Sequence, residues 1–230
     1  MQRRLVRKLD LEIALSKTVP HPSPKAHLEQ YTIDPKAAAE LLYIAAYVYD
    51  DIVGKTVIDL GCGTGRLAIG SVLLGARETT GIDIDKTATK TAWENAKNLG
   101  VKEKIQWVTT DITTIQGKFD TVLQNPPFGV QRRKADRKFL KEALKIGNHV
   151  YSLHKSSNKT KLTKKRKEHS SQFTPASPNP FLRRFIEKQG GETNAVYTMP
   201  LTIPHMFKFH RKQRHQFLVD LYVIEKKALS

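Results

Sequence analysis

Thr56-Val-Ile-Asp-Leu-Gly-Cys-Gly-Thr-Gly65 is the stretch from which the fold can be read. Its β-branched start reads as a short buried strand. Glycines at 61, 63 and 65 allow a tight turn and a close approach of a ligand to the backbone. Arg66–Leu74 then reads as a helix. A strand, a glycine turn and a helix in this order open a doubly wound sheet.

The same alternation runs outward on both sides. Upstream, Pro35–Tyr49 reads as a helix with Asp34 as its N-cap. Downstream, Thr79–Ile82 leads to Asp83, and Lys86–Leu99 is a helix closed by Gly100. Ile105–Val108 is a strand before Asp111, and Phe119–Leu123 is a strand before Asn125. A helix over 136–147, a strand over His149–Leu153, a helix over Pro180–Gln189 and a last strand over Gln216–Glu225 complete an α/β pattern with helices on both faces. The glycine spacing is G-x-G-x-G, not the G-x-G-x-x-G of a pyrophosphate-binding turn. S-adenosylmethionine has no pyrophosphate, so it needs no helix N-terminus aimed at one. Asp83, 24 residues beyond Asp59, is placed to accept both ribose hydroxyls. Asp111 is placed to meet the adenine edge, and Ile84 and Ile112 follow the two acids. The plainer role for these acids is helix capping, which Asp85 before Lys86 exemplifies. Cys62 is most simply a small residue in a tight loop.

Asn125-Pro126-Pro127-Phe128 sits at the carboxyl end of the fourth strand, where ligands bind in such sheets. The prolines stiffen the chain after Asn125. The Asn125 side-chain oxygen and the Pro126 carbonyl can accept hydrogen bonds from one NH₂ group, and Phe128 offers a flat face to a ring. Two acceptors on an exocyclic amine favour a more tetrahedral nitrogen, whose lone pair can attack a methyl group in line. This is catalysis by positioning and electrostatics, with Asn125, Pro126, Pro127 and Phe128 as the expected catalytic set. The plainer reading is a turn that only ends a strand.

Composition bounds the partners. The 230 residues hold 39 Lys+Arg and 22 Asp+Glu, a net charge of +17. Residues 31–130, which carry the motifs, hold 10 basic and 12 acidic residues, whereas residues 131–170 hold 14 basic and 3 acidic. A near-neutral body with basic flanks suits a polyanion partner. One cysteine excludes a disulfide framework and a Cys-rich zinc site. The longest apolar run, Leu41–Tyr49, is far short of the roughly 18–20 residues of a membrane span. MQRRLVRKLDLE lacks an apolar stretch after its charges, so a soluble cytoplasmic protein is expected. Pro20-His-Pro-Ser-Pro24 reads as an extended linker. This gives a basic arm and linker over 1–27 and one domain over 28–230, with a long basic loop at 155–179.

The chain resembles the class I S-adenosylmethionine-dependent N6-adenine methyltransferases, and more closely the methyltransferase-like five family of ribosomal RNA enzymes. The matching stretches are Leu28-Glu-Gln-Tyr31, Asp59-Leu-Gly-Cys-Gly63, Gly81-Ile-Asp-Ile-Asp85, Asn125-Pro-Pro-Phe-Gly129, Tyr151-Ser-Leu-His-Lys-Ser-Ser157 and Lys208-Phe-His210. The resemblance implies a Rossmann-like seven-stranded sheet, mostly parallel with an antiparallel last strand. It implies adenosine N6 of small-subunit ribosomal RNA as the target. It also implies that Gln30, Gly61, Asp83 and Asp111 bind the cofactor, and the expected cofactor set adds Thr32, Asp59, Gly63, Gly65, Ile84, Ile112 and Asn125. The family places a threonine two residues after the tyrosine; here Thr32 stands one residue earlier. In the implied strand order, Ile105 and Trp107 lie on an edge strand where a small zinc-binding activator subunit would pair. The plainer reading of Trp107 is inward packing.

Phosphate contacts are expected from Arg132, Arg133 and Lys134, from His154 and Lys155, from Lys164, Lys165, Arg166 and Lys167, and from Lys208, His210, Arg211 and Lys212. His205, His210 and His215 have no cysteine or acidic companions and read as RNA-facing or solvated, with no metal. Competing substrates are guanine N2 in RNA or a glutamine side chain in a protein. A different class would be an RNA-binding module with a vestigial cofactor site. Charge reversal at Lys164–Lys167 should weaken RNA binding and flatten its salt dependence in titrations at several salt concentrations. Unchanged affinity and slope would place the RNA elsewhere.

Overall fold

The computed structural model describes residues 6–128, 135–157, 173–204 and 214–227. The chain forms helix α1 (Lys8–Ser16), α2 (Pro35–Tyr43), strand β1 (Thr56–Leu60), α3 (Arg66–Leu73), β2 (Glu78–Asp83), α4 (Lys86–Asn98), β3 (Ile105–Thr109), β4 (Phe119–Gln124), α5 (Ala135–Ile146), β5 (Gly147–Lys155), β6 (Thr174–Pro175), α6 (Pro180–Lys188), β7 (Gly191–Pro204) and β8 (Arg214–Lys226). One sheet has the order β3-β2-β1-β4-β5-β8-β7-β6. The pairs from β3 to β5 are parallel, and β8 runs antiparallel between β5 and β7. The expected mostly parallel methyltransferase sheet with an antiparallel last strand is present. A two-residue β6 at the edge brings the count to eight.

The layers follow from alternation in the strands. Val57 joins one core with Leu41, Leu42, Leu67 and Ile69, on the face covered by α2 and α3. Ile58 and Leu60 join the other, with Leu140 and Leu144 of α5 and Ile186 of α6. The parallel register sets Asp59 beside Gly81 and Leu60 beside Gln124, so the carboxyl ends of β1, β2 and β4 meet at one rim.

Two stretches differ from the sequence-based expectation. The basic arm contains α1, whose Leu11 and Leu15 are fully buried in the α2–α3 core. Gly70 of α3 makes this packing possible: a Cβ there would lie 2.2 Å from Leu42 Cδ1 and 3.6 Å from Leu15. The second is β7, absent from the sequence reading. Its stretch GETNAVYTMPLTIP contains two prolines, yet it pairs with β8 along its whole length, with a bulge between Thr193 and Ala195. Pro200 falls beyond the short β6, where β7 has no second partner strand among the described residues, so its missing N–H breaks no ladder there. Helix α2 also passes into a π-turn over Ile44–Val48 instead of continuing as regular α-helix to Tyr49.

No helix among the described residues is long and apolar enough to cross a membrane. Because Leu15 is fully buried, Leu15→Ala should cost about 2–4 kcal/mol in chemical denaturation. A cost below about 0.5 kcal/mol, typical of a surface position, would mean that α1 does not belong to the core.

Candidate active site

A cavity of about 350 Å³ opens at the carboxyl rim of β1, β2, β3 and β4. Its walls bring together Gln30, Thr32, Asp59, Gly61, Gly63, Asp83, Ile84, Asp111, Ile112 and Asn125, with Pro127 beside them. Gly65 is not among the lining residues. It starts α3 at φ +86°, and a Cβ there would lie 2.6 Å from the Trp107 ring. Trp107 also fills the space over Gly81, where a Cβ would come within 2.3 Å. It therefore packs inward, and both glycines make room for it.

The end of β2 organises the site. Asp83 accepts one hydrogen bond from Gly63 N (2.9 Å) and another from Asp85 N (2.9 Å), which ties the glycine turn to the strand. Burial raises the Asp83 carboxyl above its ordinary range, although both backbone N–H groups oppose it. Asp85 is the N-cap of α4 and accepts from Thr87 N (2.9 Å). Its other oxygen meets Gln30 Nε2 (3.0 Å) and Lys25 Nζ (3.0 Å). Burial pushes the Asp85 carboxyl up, but these donors reverse that and hold it well below the usual carboxylate range.

Residues 18–33 lie across the cavity as a strap, where the sequence suggests a linker. The buried Arg66 guanidinium donates to Thr18 Oγ1 (2.7 Å), to the Thr18 carbonyl (3.2 Å) and to the Ile33 carbonyl. Asn95 exchanges hydrogen bonds with Val19 N (2.9 Å) and Val19 O (3.1 Å), and donates to Thr64 O in the glycine turn (3.0 Å). Burial lowers the Arg66 pKa to about 10. Thr32 Oγ1 accepts a long bond from His21 N (3.4 Å) within the strap.

The strap ends at the chemistry motif. Tyr31 OH donates to Asn125 Oδ1 (3.1 Å), and the Tyr31 ring stacks on Phe128 at 5.2 Å and 23°. Phe217 of β8 meets Phe128 edge-on at 5.5 Å. Burial raises the Tyr31 hydroxyl well above its ordinary value, so it stays a donor. Behind Asn125, Gln124 Nε2 donates to Ser152 Oγ (2.8 Å), which bonds His154 Nε2 (2.8 Å).

The remaining acids have separate environments. Asp59 accepts from Ala68 N (3.1 Å). Full burial, with Asp83 nearby, pushes its carboxyl up to about 7. Asp111 caps a short 3₁₀ turn through Thr113 N (2.9 Å), as the capping alternative foresaw. Both its oxygens also meet Lys138 Nζ at 3.0 Å. The Thr113 N–H, opposed by burial and helped by Lys138, brings the Asp111 carboxyl down to about 2. Burial pushes the Cys62 thiol well up, which disfavours a thiolate nucleophile.

One expectation is corrected. His154 is not on an RNA-facing rim: it is 3% exposed, bonded to Ser152 and set edge-on to Tyr222. β5 is covered on both faces, with every residue from Val150 to His154 buried. Lys155, the next residue, is exposed. Arg132, Arg133, Lys134, Lys164, Lys165, Arg166, Lys167, Lys208, His210, Arg211 and Lys212 lie outside the described residues, as does His205. Sequence reasoning about single residues missed Tyr31, Arg66, Asn95 and Lys138. Tyr31 alone left a signal, as the last residue of Leu28-Glu-Gln-Tyr31.

Residues 43–126 match the model of the ribosomal protein L11 methyltransferase (PrmA) family. Among curated proteins, the chain is 34% identical over 209 residues to the Drosophila melanogaster rRNA N6-adenosine-methyltransferase Mettl5, covering 88% of each chain. It is 38% identical to an uncharacterized protein of Methanocaldococcus jannaschii, over 96% of this chain and 95% of that one. A crystal structure from Pyrococcus horikoshii, provisionally described as an RNA methyltransferase, superposes with a TM-score of 0.80 at 36% identity, covering 98% of this chain and all of that one.

The raised Asp59 pKa makes a test of the buried pocket. The carboxyl ionises near 4 in the unfolded chain and near 7 in the folded one, so the native state holds the extra proton between these values. Stability from this group therefore falls as pH rises from about 4 to about 7 and is flat above. Asp59→Asn keeps an acceptor for Ala68 N and removes the titration. Relative to wild type, the variant should gain up to about 1.4 kcal/mol per pH unit in that window, read by denaturation at stepped pH. A difference that does not change with pH would contradict the raised value.

Proposed function

Since the chain belongs to the METTL5 family of rRNA N6-adenosine methyltransferases, we propose that it transfers the methyl group of S-adenosylmethionine to N6 of an adenosine in small-subunit ribosomal RNA. The observation that carries this reading is the Tyr31–Asn125 hydrogen bond beside Phe128, in a cavity that also has Asp83 on its wall.

The donor set fits the cofactor. The glycine turn is held by Asp83, whose oxygens each accept one backbone N–H and keep lone pairs for hydroxyls. Thr64 Oγ1 is buried in the cavity wall with no partner among the described residues. Ile84 and Ile112 supply apolar walls beside Asp83 and Asp111. Bound S-adenosylmethionine supplies an electrophilic methyl group.

The chain's own part is positioning. Tyr31 OH is a donor, so it sets the Asn125 amide with Oδ1 toward it and fixes which end of the amide accepts. The second lone pair of Oδ1 and the Pro126 carbonyl are the acceptors for an adenine NH₂. Hydrogen bonds to both amine hydrogens weaken conjugation of the nitrogen lone pair with the ring, and the proton leaves to water after transfer. Phe128, braced by Tyr31 and Phe217, is a rigid apolar wall for the base. An adenine N6 within a duplex cannot reach such a pocket, so the base is unpaired or flipped.

RNA contacts are assigned to the basic segments named from the sequence, without His154 and with Lys155 among the described residues. Exposed Phe181, with the Arg137 guanidinium 5.1 Å above its ring, adds a stacking surface one residue from the cavity-lining Lys138. The sheet edge at β3 has β2 on one side and no strand on the other among the described residues. A small zinc-binding activator would pair there, supported by that open edge and not by Trp107. A cytoplasmic site of action completes the reading.

Asn125→Ala should keep affinity for S-adenosylhomocysteine in calorimetry within about twofold and lower transfer by about 10²–10³. Tyr31→Phe should lower kcat by about tenfold at unchanged cofactor affinity. The assay is labelled methyl transfer to ribosomal RNA, with N6-methyladenosine identified by mass spectrometry. Transfer by Asn125→Ala at the wild-type rate would sink the mechanism.

A further inference from the structure

His21, in the proline-rich part of the strap, lines the same cavity and has no role in the site as described so far. Its side chain is only 3% exposed. Ser23 N donates to its Nδ1 (3.1 Å), so the proton of the neutral ring sits on Nε2. Nε2 is buried and has no hydrogen-bond partner among the described residues. Its nearest acidic neighbour, Asp85 Oδ2, is 3.6 Å away, beyond hydrogen-bond distance. Asp85 is already served by Gln30, Lys25 and Thr87.

The neighbours of His21 indicate what this donor is for. Asp83 lines the same cavity and can accept hydrogen bonds from a vicinal diol. A hydroxyl that donates its O–H to a carboxylate presents its lone pairs outward and can accept from a donor. Gly63 N and Asp85 N are engaged on Asp83, and Gln30 and Lys25 on Asp85, which leaves His21 Nε2 and the Thr64 hydroxyl as the buried side-chain groups without a partner on this wall among the described residues. The strap is fixed next to His21 by the Arg66 and Asn95 bonds to Thr18 and Val19, so the imidazole is pre-positioned.

We infer that His21 Nε2–H donates to a ribose hydroxyl of the bound nucleoside, opposite the Asp83 carboxylate, so that donor and acceptor together select an intact cis-diol. This rests on the cofactor reading above. Calorimetry on the full chain tests it, with S-adenosylhomocysteine and its 2′-deoxy and 3′-deoxy analogues as probes. His21→Phe keeps a ring of similar shape without the donor, and His21→Ala is the second variant, each checked for an unchanged melting temperature. His21→Phe should weaken S-adenosylhomocysteine by about five- to tenfold, the size of one neutral hydrogen bond. Against the analogue lacking the bonded hydroxyl, the same substitution should cost less than about twofold. Equal binding of S-adenosylhomocysteine by wild type and both variants overturns the role of His21. An equal loss against both deoxy analogues places the donor elsewhere on the ligand and also overturns it. Failure of the wild type to bind S-adenosylhomocysteine would instead refute the cofactor reading itself.

Discussion

Two carboxylates at the end of β2, Asp83 and Asp85, hold the two halves of the site to one point. Asp83 secures the glycine turn through Gly63 N, and Asp85 secures the strap through Gln30 and Lys25. They are joined by the Asp85 N–H, which donates to Asp83. Buried carboxylates are tolerated only with donors supplied, and here the donors are the parts that must be positioned. The two acids reach opposite electrostatic outcomes. Asp83 is raised because desolvation dominates, whereas Asp85 is depressed because side-chain and backbone donors together outweigh it.

The strap is held by the same principle applied to a cation. Arg66 is a buried guanidinium that satisfies carbonyls and a hydroxyl of residues 18 and 33, and Asn95 bridges the strap to the glycine turn. A proline-rich segment has few backbone donors, and apart from a 3₁₀ turn over Ala26–Leu28 the strap forms no regular structure, so side chains from α3 and α4 supply its anchorage. The strap then delivers Tyr31 to Asn125 and His21 to the β2 corner. The pocket is thus closed by a segment that lies before the sheet in the chain.

Steric constraints complete the arrangement. Gly65 and Gly81 give way to Trp107, and Gly61 faces Phe139, where a Cβ would come within 2.8 Å of the ring. Glycines that read as room for a ligand are also room for the protein's own rings. Behind Asn125, Gln124, Ser152 and His154 form a buried polar chain that ties the end of β4 to β5. The long β7–β8 hairpin brings Phe217 against Phe128, and Thr202 N donates to Asp34 at the start of α2. The hairpin therefore links Phe128 to the start of α2.

The order of most strands and helices, the glycine turn, the acids at strand ends and the Asn-Pro-Pro-Phe motif are legible in the amino-acid sequence alone. These are local signals: a period of two or 3.6, a turn that needs glycine, and an acid after an apolar run. Tertiary structure decided what depends on partners far along the chain. Tyr31 meets Asn125 across 94 residues, and Arg66 meets Thr18 across 48. β7 carries Val, Tyr, Ile and Thr, but its two prolines and Asn194 interrupt the pattern, and pairing with β8 fixes it as a strand. His154 reads as a basic residue in a basic stretch, yet its burial in β5 and the Ser152 hydroxyl claim it. Local patterning encodes which face of an element is buried, but a side chain's bonding partner is set only when distant segments are packed together.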